Sequence, residues 1–316
     1  MISLIRNEWM KIFSKISTFI FIGIIIVALI GTAIIVKTIN SESDWKAEEQ
    51  ENITYHQEIL DDANSVEEDK EYAREEIARS QAKLDAGVDP NQISSWTFMV
   101  DQVTGVASFV TLFAVIICSS SVSAEFSDGT IKQLLIRPHR RWKILLSKYI
   151  STVLYAGLML LVLVIAGYLV GLTFFGSGSF NEKMLDPGSY EAVKTIEAGP
   201  YFFELMLYWI PGFLLILSIA FMLSTLFKSQ AIAVGVSVFI LFASSTLNAL
   251  IMFLVERYEW LKYVLFPHID LRRYLMESLP MFEGATVGFS LAVLAGYYLL
   301  FMAIAFFAFQ KKDISI

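Results

Sequence analysis

An all-α membrane protein with six transmembrane helices is the fold class this sequence predicts, and three observations predict it. Hydrophobic residues make up 56% of the 316-residue chain and charged residues only 17%, too few to cover a water-soluble surface. Six apolar runs stand at 17–36, 103–123, 150–174, 205–227, 231–255 and 286–309, each long enough at about 1.5 Å per residue to cross about 30 Å of hydrocarbon. An amphipathic stretch precedes the first run and a polar, acidic segment separates the first two, so an N-terminal amphipathic interface helix and an extracellular helical insertion complete the expected architecture.

Residues 1–36 hold the interface helix and the first span. In "MISLIRNEWMKIFSKIS", Ile2, Ile5, Trp9, Ile12, Phe13 and Ile16 make one stripe, with Arg6, Asn7, Lys11 and Ser14 largely opposite. No small-residue cleavage site precedes the acidic segment and five spans follow, so the first span is read as retained.

Residues 37–102 carry 17 acidic side chains. "SVEEDKEYAREEIARSQAKLDAG" opens with the capping-box pattern Ser65 and Glu68 and closes at Gly87 with Pro90 beyond. Tyr72, Ile77 and Leu84 suit one helical face, and Ile53, Ile59 and Leu60 supply a second stripe upstream. Two readings follow: a hairpin of two helices joined around Asn64, or a solvated acidic spacer of partial helicity.

Five spans follow in 103–309, with outer loops 175–204 and 256–285 and a tail at 310–316. In the last outer loop Pro267 and Pro280 interrupt the chain, and Leu271, Tyr274 and Leu275 are spaced i, i+3, i+4. Trp260, Tyr263 and Tyr274 either anchor an interfacial segment or form an ordinary aromatic belt.

Six spans put both termini on one side. The segments on that side hold 12 Lys and Arg, as many as the opposite segments hold over more than twice the length, and 27 of the 31 acidic residues lie opposite. The positive-inside rule therefore makes the termini cytoplasmic, in a multi-pass protein of the cell membrane. The net charge of -7 hides a split of about +8 inside and -15 outside, and no nucleic-acid partner is expected.

Inside the apolar runs there is no Asp, Glu, Lys, Arg or His, which argues against an ion-coupled carrier. Thr111 and Ser119 in the second run, and Ser244, Ser245 and Asn248 in the fifth, either hydrogen-bond between helices or line a pathway for an amphiphile. Gly167 and Gly171 form a GxxxG in the third run, and Pro211-Gly212 should bend the fourth. Cys118 is the single cysteine, so no internal disulfide forms, and His56, His139 and His268 are too scattered for a metal site.

None of the 17 glycines is followed by lysine, so the chain has no phosphate-binding loop, and GxSxG and HExxH are absent. The expected protein is not an enzyme, holds no cofactor of its own and draws energy from elsewhere. The contact for such a motor is sought in the inner loop 124–149, "AEFSDGTIKQLLIRPHRRWKILLSKY". There Ser127 or Asp128 can cap a short helix, Gly129 permits a tight turn, Ile131, Leu134 and Leu135 share one face, and Pro138 ends it. Positive-inside topology alone explains Arg137, Arg140, Arg141, Lys143 and Lys148, but not the apolar triad.

At these residues the chain resembles the membrane subunits of the ABC-2 superfamily of ATP-binding-cassette transporters. Glu125, Gly129, Thr130, Leu134, Leu135, Pro138 and Arg141 match that family's pattern after the second span. Ser147 departs from it, standing before Lys148 where the family commonly has glycine, and the large acidic insertion is not general in the family. The resemblance implies a permease subunit of an ATP-driven exporter for an amphiphile such as a lipid, drug or antimicrobial peptide. It implies pairing with a second membrane subunit, identical or related, within the lipid bilayer. It also implies a separate ATPase subunit, carrying ATP and Mg, docked on Glu125, Asp128, Gly129, Thr130, Ile131, Leu134, Leu135, Pro138 and Arg141. The alternative from another class is a non-transporting membrane sensor or assembly protein that binds a ligand through the acidic hairpin.

Overall fold

The computed structural model describes residues 1–40, 44–62, 64–131, 140–188, 193–276 and 281–312. Among these, six helices are long and apolar enough to cross a membrane. A short helix α1 (Ile2–Phe13) leads into α2 (Ile16–Ile39), and α3 (Trp45–Asp61) and α4 (Glu67–Ala86) follow. Next, α5 (Ser95–Phe98) runs through a π-helical turn, Met99–Val103, into α6 (Thr104–Ser127), and α7 (Arg141–Phe175) comes after it. The remaining long helices are α8 (Ala198–Leu226), α9 (Gln230–Leu254) and α11 (Val287–Lys311), with the single turn α10 (Arg273–Met276) before the last.

The all-α expectation holds with one small addition. In the segment before α8, β1 (Lys183–Leu185) pairs antiparallel with β2 (Thr195–Glu197), with Met184 opposite Ile196.

The apolar runs understate two of the helices. The second spanning helix starts at Ser95, where Ser94 Oγ accepts from Trp96 N and Thr97 N while Ser94 N donates to Thr97 Oγ1 at 2.8 Å. That capping box satisfies otherwise orphaned amides, and the helix carries Asp101 with it. The third starts at Arg141 and so takes in Lys148. A hydropathy window stops at the first charge, whereas a helix stops where its backbone loses a partner.

Two helices form the centre. The most apolar stretches of the α5–α6 rod and of α8 are 72% and 56% buried, against 11–22% for the other four spans. Along the α6–α8 seam Cys118 Sγ donates to Leu217 O at 3.3 Å, and Ser224 Oγ accepts from Val122 N and Ser123 N at 3.0 and 3.1 Å. The outer helices turn side chains such as Ile34, Leu161, Phe239, Phe253 and Phe307 outward, as a protein dissolved in hydrocarbon requires. The GxxxG is a close-packing site: a Cβ on Gly167 would sit 2.7 Å from Val103, and one on Gly171 would sit 3.1 Å from the Ser95 backbone. There α7 nests against the start of the second span.

Between the first two spans α3 and α4 pack antiparallel. Lys83 Nζ donates to Glu49 Oε1 at 2.6 Å and Asn52 Nδ2 to Ser80 Oγ at 3.2 Å. The capping box expected at Ser65 and Glu68 is not formed, for Val66 is the N-cap and makes no side-chain bond. Glu67, Glu68 and Asp69 fill the first turn instead and complement the partial positive charge of the helix start. Tyr72, expected on the inner face, is exposed, and the residues of α4 that are buried are Ala73 and Ser80. Small side chains let the helices approach. At the other end Gly87 adopts φ +62° and closes α4 as expected.

Between α9 and α11 the chain folds into 3-10 turns at Glu259–Tyr263 and Phe266–His268. His268 is fully buried, its ring nitrogens 2.7 Å from Ser290 Oγ and 2.8 Å from Lys262 O. Burial pushes the imidazole below its ordinary value, against the Lys262 carbonyl, which acts the other way. Trp260 and Tyr263 are exposed, whereas Tyr274 turns in to Ser290 Oγ at 2.8 Å. Leu271 is buried and packs beside Tyr274.

This segment is seated by glycine. The Ile269 carbonyl lies where a Cβ on Gly212 would go, beside Pro211 inside α8. Gly212→Ala is expected to unseat the 266–273 segment and destabilise the protein by about 1–3 kcal/mol, as overpacking does. A lowered melting temperature checks this.

Candidate functional site

Two polar regions sit at opposite ends of α6. At the end of the bundle where both chain ends gather, four charged side chains meet: Glu8 on α1, Lys11 one turn later, Glu125 near the end of α6 and Lys148 in the first turns of α7. Lys148 Nζ donates to Glu125 Oε1 at 2.7 Å, Glu8 Oε2 at 2.8 Å and Ser121 O at 3.1 Å. Lys11 Nζ reaches Glu125 Oε1 at 2.8 Å and Glu8 Oε1 at 3.1 Å. The Lys148 side chain is 1% exposed, a position that an ammonium tolerates only with its charge matched and its hydrogens bonded.

The cluster fixes α1. Leu4, Ile5, Glu8, Trp9, Ile12 and Phe13 are covered, so the expected stripe holds at Ile5, Trp9, Ile12 and Phe13 with Glu8 added to it, whereas Ile2 at the start of α1 and Ile16 at the start of α2 are exposed. Ser151 Oγ on α7 also donates to Ile5 O at 3.2 Å. A cavity of about 370 Å³ opens beside the cluster, lined by Lys15, Ser120, Ser121 and Thr152 among others.

Burial alone would raise the Glu8 carboxyl, but Lys148 and Lys11 outweigh it and hold the group below its ordinary value. Burial would likewise lower Lys11, and Glu125 with Glu8 reverses that and raises it. The stabilisation from Glu8 is therefore present above the ordinary glutamate range and lost as pH falls through its depressed value. That from Lys11 is lost only as pH rises through a value above 10.5. Melting temperature followed from pH 7 downward should fall on the acid side, and Glu8→Gln should flatten that limb.

The other expected coupling residues lie around this cluster. Asp128 is the C-cap of α6, and Gly129 takes φ +70°, its amide donating to Phe126 O at 3.3 Å. Thr130 Oγ1 points back to Glu125 O at 3.5 Å, and Ile131 is buried. The Ser127 hydroxyl, instead of capping a following helix, donates to Lys228 O at 3.1 Å and accepts from Gln230 N at 2.8 Å. The end of α6 is thereby bolted to the turn between α8 and α9. Arg141 donates to Gln310 O at 3.2 Å and Lys312 Nζ to Thr225 O at 2.7 Å, each a cation on a helix C-terminus. Leu134, Leu135 and Pro138 lie outside the described residues.

At the opposite end, a cavity of about 530 Å³ opens between α6, α8 and α9. Thr111, Ser244, Ser245 and Asn248 all line it. Ser119 does not: it is fully buried and donates to Val115 O at 2.7 Å. The hydroxyls spend their hydrogens on their own helices, Thr111 on Ala107 O, Ser244 on Leu241 O and Ser245 on Phe242 O. They make no bond between helices among the described residues, and as hydroxyls they keep the capacity to accept.

Sequence reasoning missed the rest of this lining. Trp209 stacks on Phe213 at 4.4 Å, and Asp270, Arg272 and Arg273 come from the segment seated by Gly212. Missed too were Glu8, Lys11 and Lys148 as one cluster. The sole signal was that Glu8 is the one acidic residue ahead of the first span.

The family model described as "Protein of unknown function (DUF2705)" matches residues 84–315. The uncharacterized protein YhcI of Bacillus subtilis (strain 168) is 35% identical over 327 aligned positions, covering 100% of both chains. The uncharacterized membrane protein YdbK of the same organism is 31% identical over 235 positions, 74% of this chain and 87% of its own length.

Proposed function

The chain belongs to the DUF2705 family, and on that footing we propose that this multi-pass membrane protein is the permease subunit of an ATP-driven exporter of amphiphiles. The observation that carries the reading is one helix with two ends. The α5–α6 rod carries Glu125, the first of the ABC-2-like residues of the stretch 125–141, near one end, and at the other it helps to wall the 530 Å³ cavity lined by Thr111, Ser244, Ser245 and Asn248.

In this reading both termini and the Glu8–Lys11–Glu125–Lys148 cluster are cytoplasmic, α1 lies at the membrane interface, and the α3–α4 hairpin is extracellular. A separate ATPase, holding ATP and Mg, docks on the loop between α6 and α7. The ionic cluster and the Ser127 bridge spread its push to α1, α7 and the α8–α9 turn at once, so that α6 and α9 move together. Those helices carry the hydroxyl wall of the cavity, and the hydroxyls supply weak, replaceable contacts for a passing amphiphile. A second membrane subunit completes the pathway.

The test is purification of the tagged chain from its native membrane in mild detergent, with mass spectrometry of what accompanies it and an ATP hydrolysis assay. A stoichiometric ATP-binding subunit is expected. Folded chain recovered alone would sink the reading and favour a sensor working through the acidic hairpin.

A further inference from the structure

The larger cavity divides its chemistry by position. Its walls are apolar, with Phe109, Leu112, Trp209, Phe213 and Phe242 prominent, and its charged residues all come from the one segment 270–273. The middle carries the hydroxyls of α6 and α9. Asn248 lies one turn nearer the charged end than Ser244, and its Oδ1 is shut off from solvent with no donor among the described residues.

The charged end is rich in donors. Asp270 is fully engaged with Arg272: Oδ1 accepts from Arg272 N at 3.1 Å and Nε at 2.8 Å, and Oδ2 accepts from a terminal nitrogen at 2.7 Å. Arg272 then sends its other terminal nitrogen to Thr104 O at a long 3.5 Å. A guanidinium has five N–H groups in a fixed fork, so two of them, one on each terminal nitrogen, find no acceptor among the described residues. A second guanidinium, Arg273, lines the same end. Spare N–H donors beside an already committed carboxylate select an acceptor-rich, negatively charged group.

We propose that the cavity between α6, α8 and α9 binds amphiphiles with a phosphate or carboxylate head, the head on Arg272 and the apolar tail along Trp209 and Phe213. This deepens the permease reading and rests on it for the claim that such a molecule is cargo. The tail is required as well as the head, since apolar side chains, aromatic and aliphatic, make up most of the lining. A free anion without a chain therefore leaves the site empty.

The probe is 11-(dansylamino)undecanoic acid, compared with its uncharged methyl ester, added to the full chain in phosphatidylcholine nanodiscs with empty discs subtracted. Energy transfer from the six tryptophans to the dansyl group reports occupancy, and the part lost in Trp209→Phe reports the ring beside the tail. The acid should bind about tenfold more tightly than the ester, the usual worth of a hydrogen bond to a charged group. Arg272→Gln should bring the acid to the level of the ester and leave the ester unchanged. Trp209→Phe should remove most of the transferred signal. Inorganic phosphate at millimolar concentration should not displace the acid, and displacement would mean a simple anion site and overturn the proposal.

Equal binding of acid and ester to the native chain overturns it whatever becomes of the variants, so a misfolded Arg272→Gln does not rescue it. Transfer unchanged in Trp209→Phe overturns the location. Since no ATPase is needed, a chain purified without one leaves this result standing, and equal binding of acid and ester leaves the permease reading standing.

Discussion

Lys148→Met is expected to destabilise the folded protein by about 3–5 kcal/mol, the usual effect of removing one partner from a buried ion pair. The side chain is 1% exposed and joins Glu125, Glu8 and the Ser121 carbonyl at one ammonium. Without it, two glutamates that are 11–12% exposed are left to share Lys11, which is itself 46% exposed and draws on solvent. The loss should appear as a large fall in melting temperature and as detachment of α1, measured by proteolysis near residue 15. Adding Glu125→Gln should recover much of the stability, because it restores a one-to-one match between Glu8 and Lys11. A single variant that melts with the native protein would mean that the four charges are effectively solvated. A double variant worse than the single would mean that Glu125 has a further role in the fold.

If the protein is the permease subunit proposed above, Leu134→Asp with Leu135→Asp should abolish association with an ATP-binding subunit, reducing co-purified ATPase activity by more than about tenfold, since two carboxylates would enter the proposed apolar contact. Membrane insertion and yield should not change, because these residues stand in the sequence between the second span, which ends at Ser127, and the third, which starts at Arg141. This contrasts with Lys148→Met, which acts on the fold itself. Assaying both variants for yield, melting and partner recovery separates a docking surface from a structural clamp. Unchanged recovery of the ATPase with the aspartates in place would remove the loop as its docking site.

What was legible in the sequence was what is local. A run of apolar residues reports a spanning helix because the bilayer reads only length and hydropathy, and Gly87 closes its own helix; the spacing of Gly167 and Gly171 marked a close approach without naming the partners, Val103 and Ser95. Four of the five hydroxyl and amide residues chosen for the pathway do share one cavity. Ser119 was indistinguishable from them because a helical stripe does not state which neighbour it meets. The ionic cluster was illegible because its partners are 114 and 140 positions apart, and each looked like an ordinary charge at the end of a span. Arg272 was hidden in the same way: its segment is brought to the cavity by contacts distant in sequence, the close approach of Ile269 to Gly212 among them.

The seam between α6 and α8 gives the protein a built-in gauge. Its lone thiol, Cys118, is fully buried and hydrogen-bonded across to Leu217 O, so alkylating reagents can reach it only when the two central helices separate. No engineered label and no cysteine-free background is needed: the rate of modification of the native chain counts openings of that seam directly. A transport cycle that rocks α6 and α8 as one block would leave the thiol silent through every turnover, and one that parts them would write each opening into the mass of the protein.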